Sequence, residues 1–417
     1  MRRFFPSIAF AAALAASSLV SCSDSDKTPE PVGDKTFTGM NALEMTYCGA
    51  PMAGKTVAVH QDGANASMTL DSHFDLSTLS AALKGFPALQ GPGVIPGSPV
   101  LQINTPLSNG DGRYEFAGKG ETDFATYSYS GSFDASKMTF AFTDVRLKDQ
   151  SFAGTGWAPR PAAKNPSGIG YSASPLHIVW ETSMPIPIPG LESEIGDLLN
   201  MLAGLPLIPV YNGTAYMSLV QAVESALKTV GFNANGNMPV CYLQRADGAA
   251  QFANAPLCMI QYLPVAPGVM KLYVNPTDVL TLVLLNNTNR DPNIPEHPFG
   301  IRARETAAGS AQLQQIVTAL VQKLAPVLSQ GIPANYTRTD DSLELYIGSD
   351  VLVPLLKQTL LPLMQNPEVM ALLMQKLAEN PALSTHLPAV KAALTVLPAI
   401  LENTTRIEFG LNLVPTK

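Results

Sequence analysis

The chain has 417 residues, a formal net charge of −7 at pH 7 and a charged fraction of only 14%. Nucleic acids and anionic lipid headgroups are bound by clusters of Lys and Arg, so this acidic composition argues against both as partners. The length is sufficient for two or three domains with hydrophobic cores of their own.

Residues 1–21 have the features of a lipoprotein signal peptide. Two arginines follow the first methionine, and residues 8–16 form an apolar run too short to span a bilayer. Leu19 to Cys22 reads LVSC and resembles a bacterial lipobox. The resemblance implies cleavage before Cys22 and acylation of both its thiol and its new amine, which would anchor the protein in a membrane. The alternative is an ordinary secretory signal that is cut near Ala16.

Residues 22–35 are predicted to form an acidic, flexible tether, because they carry too little apolar surface to fold. Within it, Ser23, Asp24 and Asp26 resemble the surface-export signal of Bacteroidota lipoproteins. A simple polar spacer is the alternative. The resemblance implies a protein that is lipid-anchored in the outer membrane and exposed on the cell surface.

Residues 36–150 are predicted to be an antiparallel β domain. The sequence Asn-Gly-Asp-Gly at 109–112 is a strong hairpin signal. One short helix is predicted at 77–83, before a glycine that would end it. Alternating apolar residues predict strands over 56–60, 66–70, 113–116, 124–131 and 138–142. Strands of this regularity indicate a small barrel or a curled sheet.

One stretch of this domain, GAPMAGKT at residues 49–56, matches the spacing of a nucleotide-binding P-loop. A P-loop requires a helix directly after it, because the phosphates bind at the helix N-terminus. Here Pro51 interrupts the loop and the following residues alternate as a strand. The stretch is therefore predicted to connect two strands, with Lys55 exposed in the connection and no nucleotide bound.

Residues 151–190 are rich in Pro and Gly and are interpreted as a linker with one strand, 176–180. Residues 191–417 are predicted to form an α+β domain of hairpins and helices. Apolar residues at helical spacing predict helices over 191–202, 220–230 and 313–324. Asn-Pro pairs at 366–367 and 380–381 predict two further helix starts.

Two similar segments occur in this second domain. Tyr262 to Leu280 ends in LYVNPTDVL and Tyr336 to Leu352 ends in LYIGSDVL, and each is predicted to be a hairpin that leads into a helix. With a final strand at 407–413 and the acidic leader, the chain resembles an uncharacterised family of Bacteroidota outer-membrane lipoproteins. The resemblance implies a calycin-like first domain, hence an α+β chain with a barrel-like start, and it implies no catalytic residues.

The sequence contains no recognisable catalytic or metal-binding pattern. Its five histidines are scattered without metal-ligand spacing, so no catalytic residue, metal or cofactor is predicted. Cys241 and Cys258 lie on neighbouring apolar segments where a cross-strand disulfide is conceivable, although free buried thiols are favoured. A non-catalytic binding protein is therefore expected.

The ligand class is suggested by the segment from Val351 to Leu401, which is rich in Leu, Met, Val and Ala. Met364, Met370 and Met374 would give an apolar or lipid-like ligand an adaptable lining. The alternatives are helices closed on themselves, a glycan-binding protein, and an adhesin or scaffold without a small ligand. Separately, Asp341-Ser342-Leu343 resembles a Bacteroidota O-glycosylation acceptor, and Ser342 is predicted to lie in an exposed turn. The oligomeric state is left open.

Overall fold

The computed structural model describes most of the chain after the tether. The described residues are 30–74, 88–166, 170–184, 195–205, 208–209, 216–246, 249–276, 278, 326–367, 370–371, 374 and 387–416. The signal peptide, Cys22 and the export residues Ser23, Asp24 and Asp26 lie outside them. So do the helices predicted at 77–83 and 313–324 and the helix start at 380–381.

Residues 34–147 form two sheets that curl around one interior. The five-stranded sheet has the order β1-β4-β5-β6 with β7 also paired to β5, and the six-stranded sheet has the order β3-β2-β11-β10-β9-β8. All pairings are antiparallel except that of β2 with β11. The strands are β1 (Asp34–Thr38), β2 (Leu43–Tyr47), β3 (Ala50–Pro51), β4 (Lys55–Asp62), β5 (Asn65–Phe74), β6 (Leu89–Gln90), β7 (Leu101–Pro106), β8 (Ser108–Gly110), β9 (Arg113–Glu121), β10 (Ala125–Phe133) and β11 (Met138–Leu147).

The interior of these sheets is filled with aromatic rings. The strands alternate buried and exposed residues, so one face of each strand supplies the core. The ring centroids of Phe140 and Phe142 lie 4.9 Å apart, and those of Phe116 and Phe140 lie 5.1 Å apart. The predicted strands and the hairpin at 109–112, where Asp111 and Gly112 both have positive φ, are confirmed.

The rest of the chain builds a ten-stranded sheet of order β20-β19-β18-β12-β25-β24-β23-β22-β21, with β15 also paired to β25. The 233–238 turn also bonds to β21, because Tyr262 N–H donates to the Gly236 carbonyl at 2.8 Å, and this curls the sheet further. Its strands are β12 (Thr155–Pro159), β15 (Leu176–Thr182), β18 (Leu227–Phe232), β19 (Val240–Ala246), β20 (Ala249–Asn254), β21 (Ile260–Ala266), β22 (Val269–Val274), β23 (Ile332–Arg338), β24 (Leu343–Ile347) and β25 (Thr404–Pro415). Short pairs are formed by β13 (Ala163–Lys164) with β14 (Tyr171–Ala173) and by β16 (Ile208–Pro209) with β17 (Tyr216–Met217).

Both predicted hairpins are confirmed, as β21–β22 and β23–β24. The segment interpreted as a linker supplies more than the one predicted strand, since β12 and β15 both pair with β25. The Trp157 side chain on β12 is buried in the main core. The described residues of this segment, 151–166 and 170–184, are therefore part of the folded body.

Most of the described helices are short and lie beside the ten-stranded sheet. The helix predicted over 220–230 is wrong in its second half, because it ends at Ala226 and Leu227 begins β18. Ser218 and Gln221 form a capping box that fixes its start. After Ala226, pairing with β12 and β19 outweighs the helical spacing of Leu227 and Val230. The helices are α1 (Gly39–Ala42), α2 (Ile195–Ala203), α3 (Leu219–Ala226), α4 (Ser349–Leu355), a π-helix (Leu356–Leu360), α5 (Leu361–Met364) and α6 (Leu387–Glu402).

One hydrophobic core runs through both parts of the chain, from Phe37 in the first sheet to Leu413 in the last strand. A buried loop, residues 91–96, contributes to this core, and its Val94 and Ile95 are fully buried. The described chain is thus mostly β-sheet with few helices, and a curled, β-rich first region is confirmed. Among the described residues, no helix is both long and apolar enough to cross a bilayer.

Candidate functional site

The GAPMAGKT stretch connects strands, as predicted. Ala50–Pro51 is β3, Gly54 has a φ of 72°, and Lys55 opens β4 with no helix following. The prediction that Lys55 is exposed is wrong, since only 4% of its surface is accessible. Its ammonium donates to the carbonyl oxygens of Pro92 at 2.6 Å and Gly93 at 3.1 Å. The buried loop needs donors for these carbonyls, and Lys55 supplies them.

The surroundings of Lys55 shift its titration. Burial lowers the Lys55 pKa to about 8, against smaller opposing effects of Cys258 and Asp278. Burial disfavours the charged form of an acid as well, so it raises the pKa of the Asp278 carboxyl. The Asn275 amide donates to Asp278 at 2.8 Å and to the Ala53 carbonyl at 3.1 Å. Asn275 and Asp278 of the first hairpin segment are therefore packed against the GAPMAGKT stretch.

Each described histidine is paired with a carboxylate. His60 Nδ1 bonds to Asp34, His73 Nδ1 lies 3.4 Å from Asp71, and His177 Nε2 lies 2.9 Å from Glu408. The hydrogen bond to Asp34 raises the pKa of His60. The two other histidines, 297 and 386, lie outside the described residues. Within those residues, no group of three or more His, Cys, Asp or Glu side chains could hold a metal ion.

The most buried of these pairs belongs to a network across β15, β25 and β24. Arg406 bonds both Glu408 and Glu181, and the ring of Tyr346 stacks on that of His177 with centroids 4.3 Å apart. Burial tends to raise the Glu408 pKa, but hydrogen bonds from His177 and Arg406 outweigh it and leave the pKa lowered. Arg406 and Glu408 lie on the same strand, and the other contacts are cross-strand pairs of the kind that stabilise a sheet.

The helical layer consists of α4, the π-helix, α5 and α6, packed on β15 and β25. Met364 is buried there in a cluster with Trp180, Ile400, Leu401 and Ile407. Met370 packs against the same cluster, and Met374 is half-buried. The π-helix follows Pro354 and directly precedes α5. Helices of this type are rare and often occur at functional sites.

A cleft of about 630 Å³ lies where the two parts of the chain meet. The residues that line this junction cleft include Cys48, Asp144, Arg146, Asn233 and Asn235. Sequence analysis missed it, because its lining comes from separate turns and from strand β11, which only the fold brings together. The one local signal is the turn-forming Asn-x-Asn-Gly at 233–236.

Ser342 and the cysteines are the remaining residues that the sequence analysis singled out. Ser342 closes the β23–β24 turn, where it is half-buried and its hydroxyl lies 2.8 Å from that of Thr339. Cys48, Cys241 and Cys258 are free thiols, which agrees with the favoured prediction for the last two. Burial raises the pKa of the Cys258 thiol to about 12.

Comparison of the chain with protein-family models, with curated proteins and with solved structures found no match.

Proposed function

We propose that this chain is a non-catalytic, lipid-anchored protein of the outer cell surface that binds an apolar or lipid-like ligand at its helical layer. The observation that carries the proposal is the apolar cluster that Met364 and Met370 share with the buried indole of Trp180. The π-helix contributes Leu356 and Leu360 to the same cluster, and Met374 is half-buried. Methionine side chains are flexible and polarizable, so they adapt to apolar ligands of varied shape. The π-helix lies next to these side chains.

The likeness to Bacteroidota surface lipoproteins with a calycin-like first domain is part of the same proposal. The curled sheets of residues 34–147 are compatible with it. Their interior, however, is filled by the rings of Phe116, Phe140 and Phe142 and their neighbours. The ligand is therefore assigned to the helical layer and not to the inside of the first sheets.

Native mass spectrometry with solvent extraction tests the proposal. Protein purified under native conditions should carry an apolar molecule, and a lipid panel should raise its melting temperature. Burying about 300 Å² of apolar ligand surface contributes about 7 kcal/mol before the costs of binding, enough to retain a ligand during purification. A ligand-free mass together with no thermal shift would contradict the proposal. A shift with oligosaccharides alone would favour a glycan-binding protein, and no shift with either would favour a scaffold.

A substitution that enlarges a side chain separates a lined pocket from a closed core. In a pocket, Met374→Trp should fill the space and displace the ligand while the fold remains stable. In a closed core the same change overpacks the helices and costs about 1–3 kcal/mol. Met40→Trp is the matched control, because Met40 is 86% exposed on α1, far from the helical layer in sequence.

A further inference from the structure

The junction cleft has one wall that is rigid before any ligand arrives. The turn at 233–235 lines part of the cleft, and its backbone is held by the rest of the protein. Its three carbonyl oxygens accept hydrogen bonds of 2.5–3.1 Å, and the donors are Tyr47 Oη, Leu147 N, Gln150 Nε2, Gly236 N and Tyr262 Oη. A wall fixed in this way loses little conformational entropy on binding.

The opposite wall contains unusual backbone. Cys48 and Asp144 have φ angles of 50° and 51°, in the left-handed region. They are two of the four non-glycine residues with positive φ in the described chain, and both line this one cleft. Such conformations are strained in residues other than glycine and are concentrated at binding and catalytic sites. Cys48 is held in place by its N–H, which donates to the Phe142 carbonyl at 2.8 Å.

The chemistry of the lining indicates the class of ligand. Asp144 contributes a carboxylate and Arg146 a guanidinium, so neither a cation nor an anion is favoured overall. Asn233 and Asn235 add carboxamides, so the lining residues carry four planar groups with hydrogen-bonding atoms. The Oδ1 atom of Asn235 already accepts from the Asn237 N–H at 3.0 Å, which leaves its NH2 group as a donor. The volume lies within the range of small-molecule sites.

We propose that the junction cleft binds a neutral, hydroxyl-rich ligand of the saccharide type. Planar carboxylate, guanidinium and carboxamide groups can each pair with hydroxyls through more than one hydrogen bond. The site is separate from the helical layer, so it goes beyond the apolar ligand proposed above. Either proposal can fail without the other.

Cys48 provides a built-in reporter of occupancy. Its thiol is exposed and lines the cleft, whereas Cys258 is buried with a raised pKa and should not react. The mature protein is treated with iodoacetamide in the presence of maltose, cellobiose, chitobiose or glucuronate, and each cysteine is followed by peptide mass spectrometry. At least one neutral disaccharide should slow alkylation of Cys48, by about tenfold at ten times its dissociation constant. The rate at half-buried Cys241 should not change.

Charge-removing variants complete the test. Asp144→Gly combined with Arg146→Ala removes both planar groups, and Gly adopts the left-handed backbone of position 144 without strain. This double variant should abolish the protection of Cys48, while Lys119→Gln on the exposed face of β9 should retain it. The proposal is overturned if no neutral sugar protects Cys48, if only glucuronate protects it, or if protection survives in the double variant.

Discussion

The Nζ atom of Lys55 lies 2.6 Å from the carbonyl oxygen of Pro92, deep between the two parts of the chain. The lysine at the position of the P-loop lysine thus donates hydrogen bonds to carbonyl oxygens of the protein's own backbone. Its partners lie in the loop that joins β6 to β7. The contact therefore accounts for Lys55 without a nucleotide and leads to two predictions about stability.

Lys55→Ala should destabilise the protein. The change leaves the buried carbonyls of Pro92 and Gly93 without their donor, and each unsatisfied group costs about 1–3 kcal/mol. Urea denaturation should show the loss, while Lys35→Ala on the exposed edge strand β1 should have little effect. Unchanged stability in the Lys55 variant, or Mg²⁺-dependent ATP binding that the variant loses, would contradict this account of the site.

The pH dependence of stability should reveal the same lysine. Its folded-state pKa of about 8 lies below the usual value of 10.5. Between these values this lysine binds more protons in the unfolded chain, so its contribution to the free energy of unfolding should rise with pH in that window. The cost of burying the charge is fully present below pH 8 and absent above pH 10.5. Lys55→Met, which cannot titrate, should lack this rise when both proteins are unfolded in urea at several pH values.

Tyr47→Phe should weaken the junction between the two parts of the chain. The phenol donates to the Asn235 carbonyl at 2.5 Å, and its loss leaves a buried acceptor unpaired. A cost of about 1–2 kcal/mol is expected. Hydrogen exchange should become faster in the 233–237 turn but not in the β9–β10 hairpin. Equal acceleration in both would show that the hydroxyl does not act locally.

Cys22→Ala should release the protein from membranes, because the acyl chains are the proposed anchor. Cell fractionation followed by immunoblotting measures this. Protease added to intact cells should remove the wild-type chain, and replacement of Asp24 and Asp26 should protect it. A Cys22→Ala protein that stays with the membrane, or a wild type that resists the protease, would contradict the anchor or the surface location respectively.

Ser342→Ala should lower the intact mass of native protein by one glycan if the β23–β24 turn is modified. The Ser342 hydroxyl is half-buried and close to Thr339, so the acceptor must rotate away from that contact to react. Ser132→Ala, at a serine whose hydroxyl is engaged by Thr139 within the first sheets, is the control. If the masses of the wild type and the Ser342→Ala protein differ only by the oxygen atom that the substitution removes, Ser342 is not modified.

Local pattern was sufficient wherever neighbouring residues decide the structure. The alternation at 56–60 and 66–70 and the Asn-Gly-Asp-Gly turn at 109–112 gave correct strands and a correct hairpin. The same reasoning rejected a P-loop at residues 49–56. In each case the decisive interaction, a turn conformation or the side-chain period of a strand, is encoded within about ten residues.

Tertiary structure alone decided the features that depend on distant partners. Lys55 is buried because a loop nearly 40 residues later needs its hydrogen bonds. Leu227 and Val230 are strand residues because β12 and β19 pair with them, although their spacing also suits a helix. The junction cleft brings residues 48 and 235 together through the Tyr47 contact. The free energy of such pairings depends on which surfaces meet, and that information is spread over the whole chain.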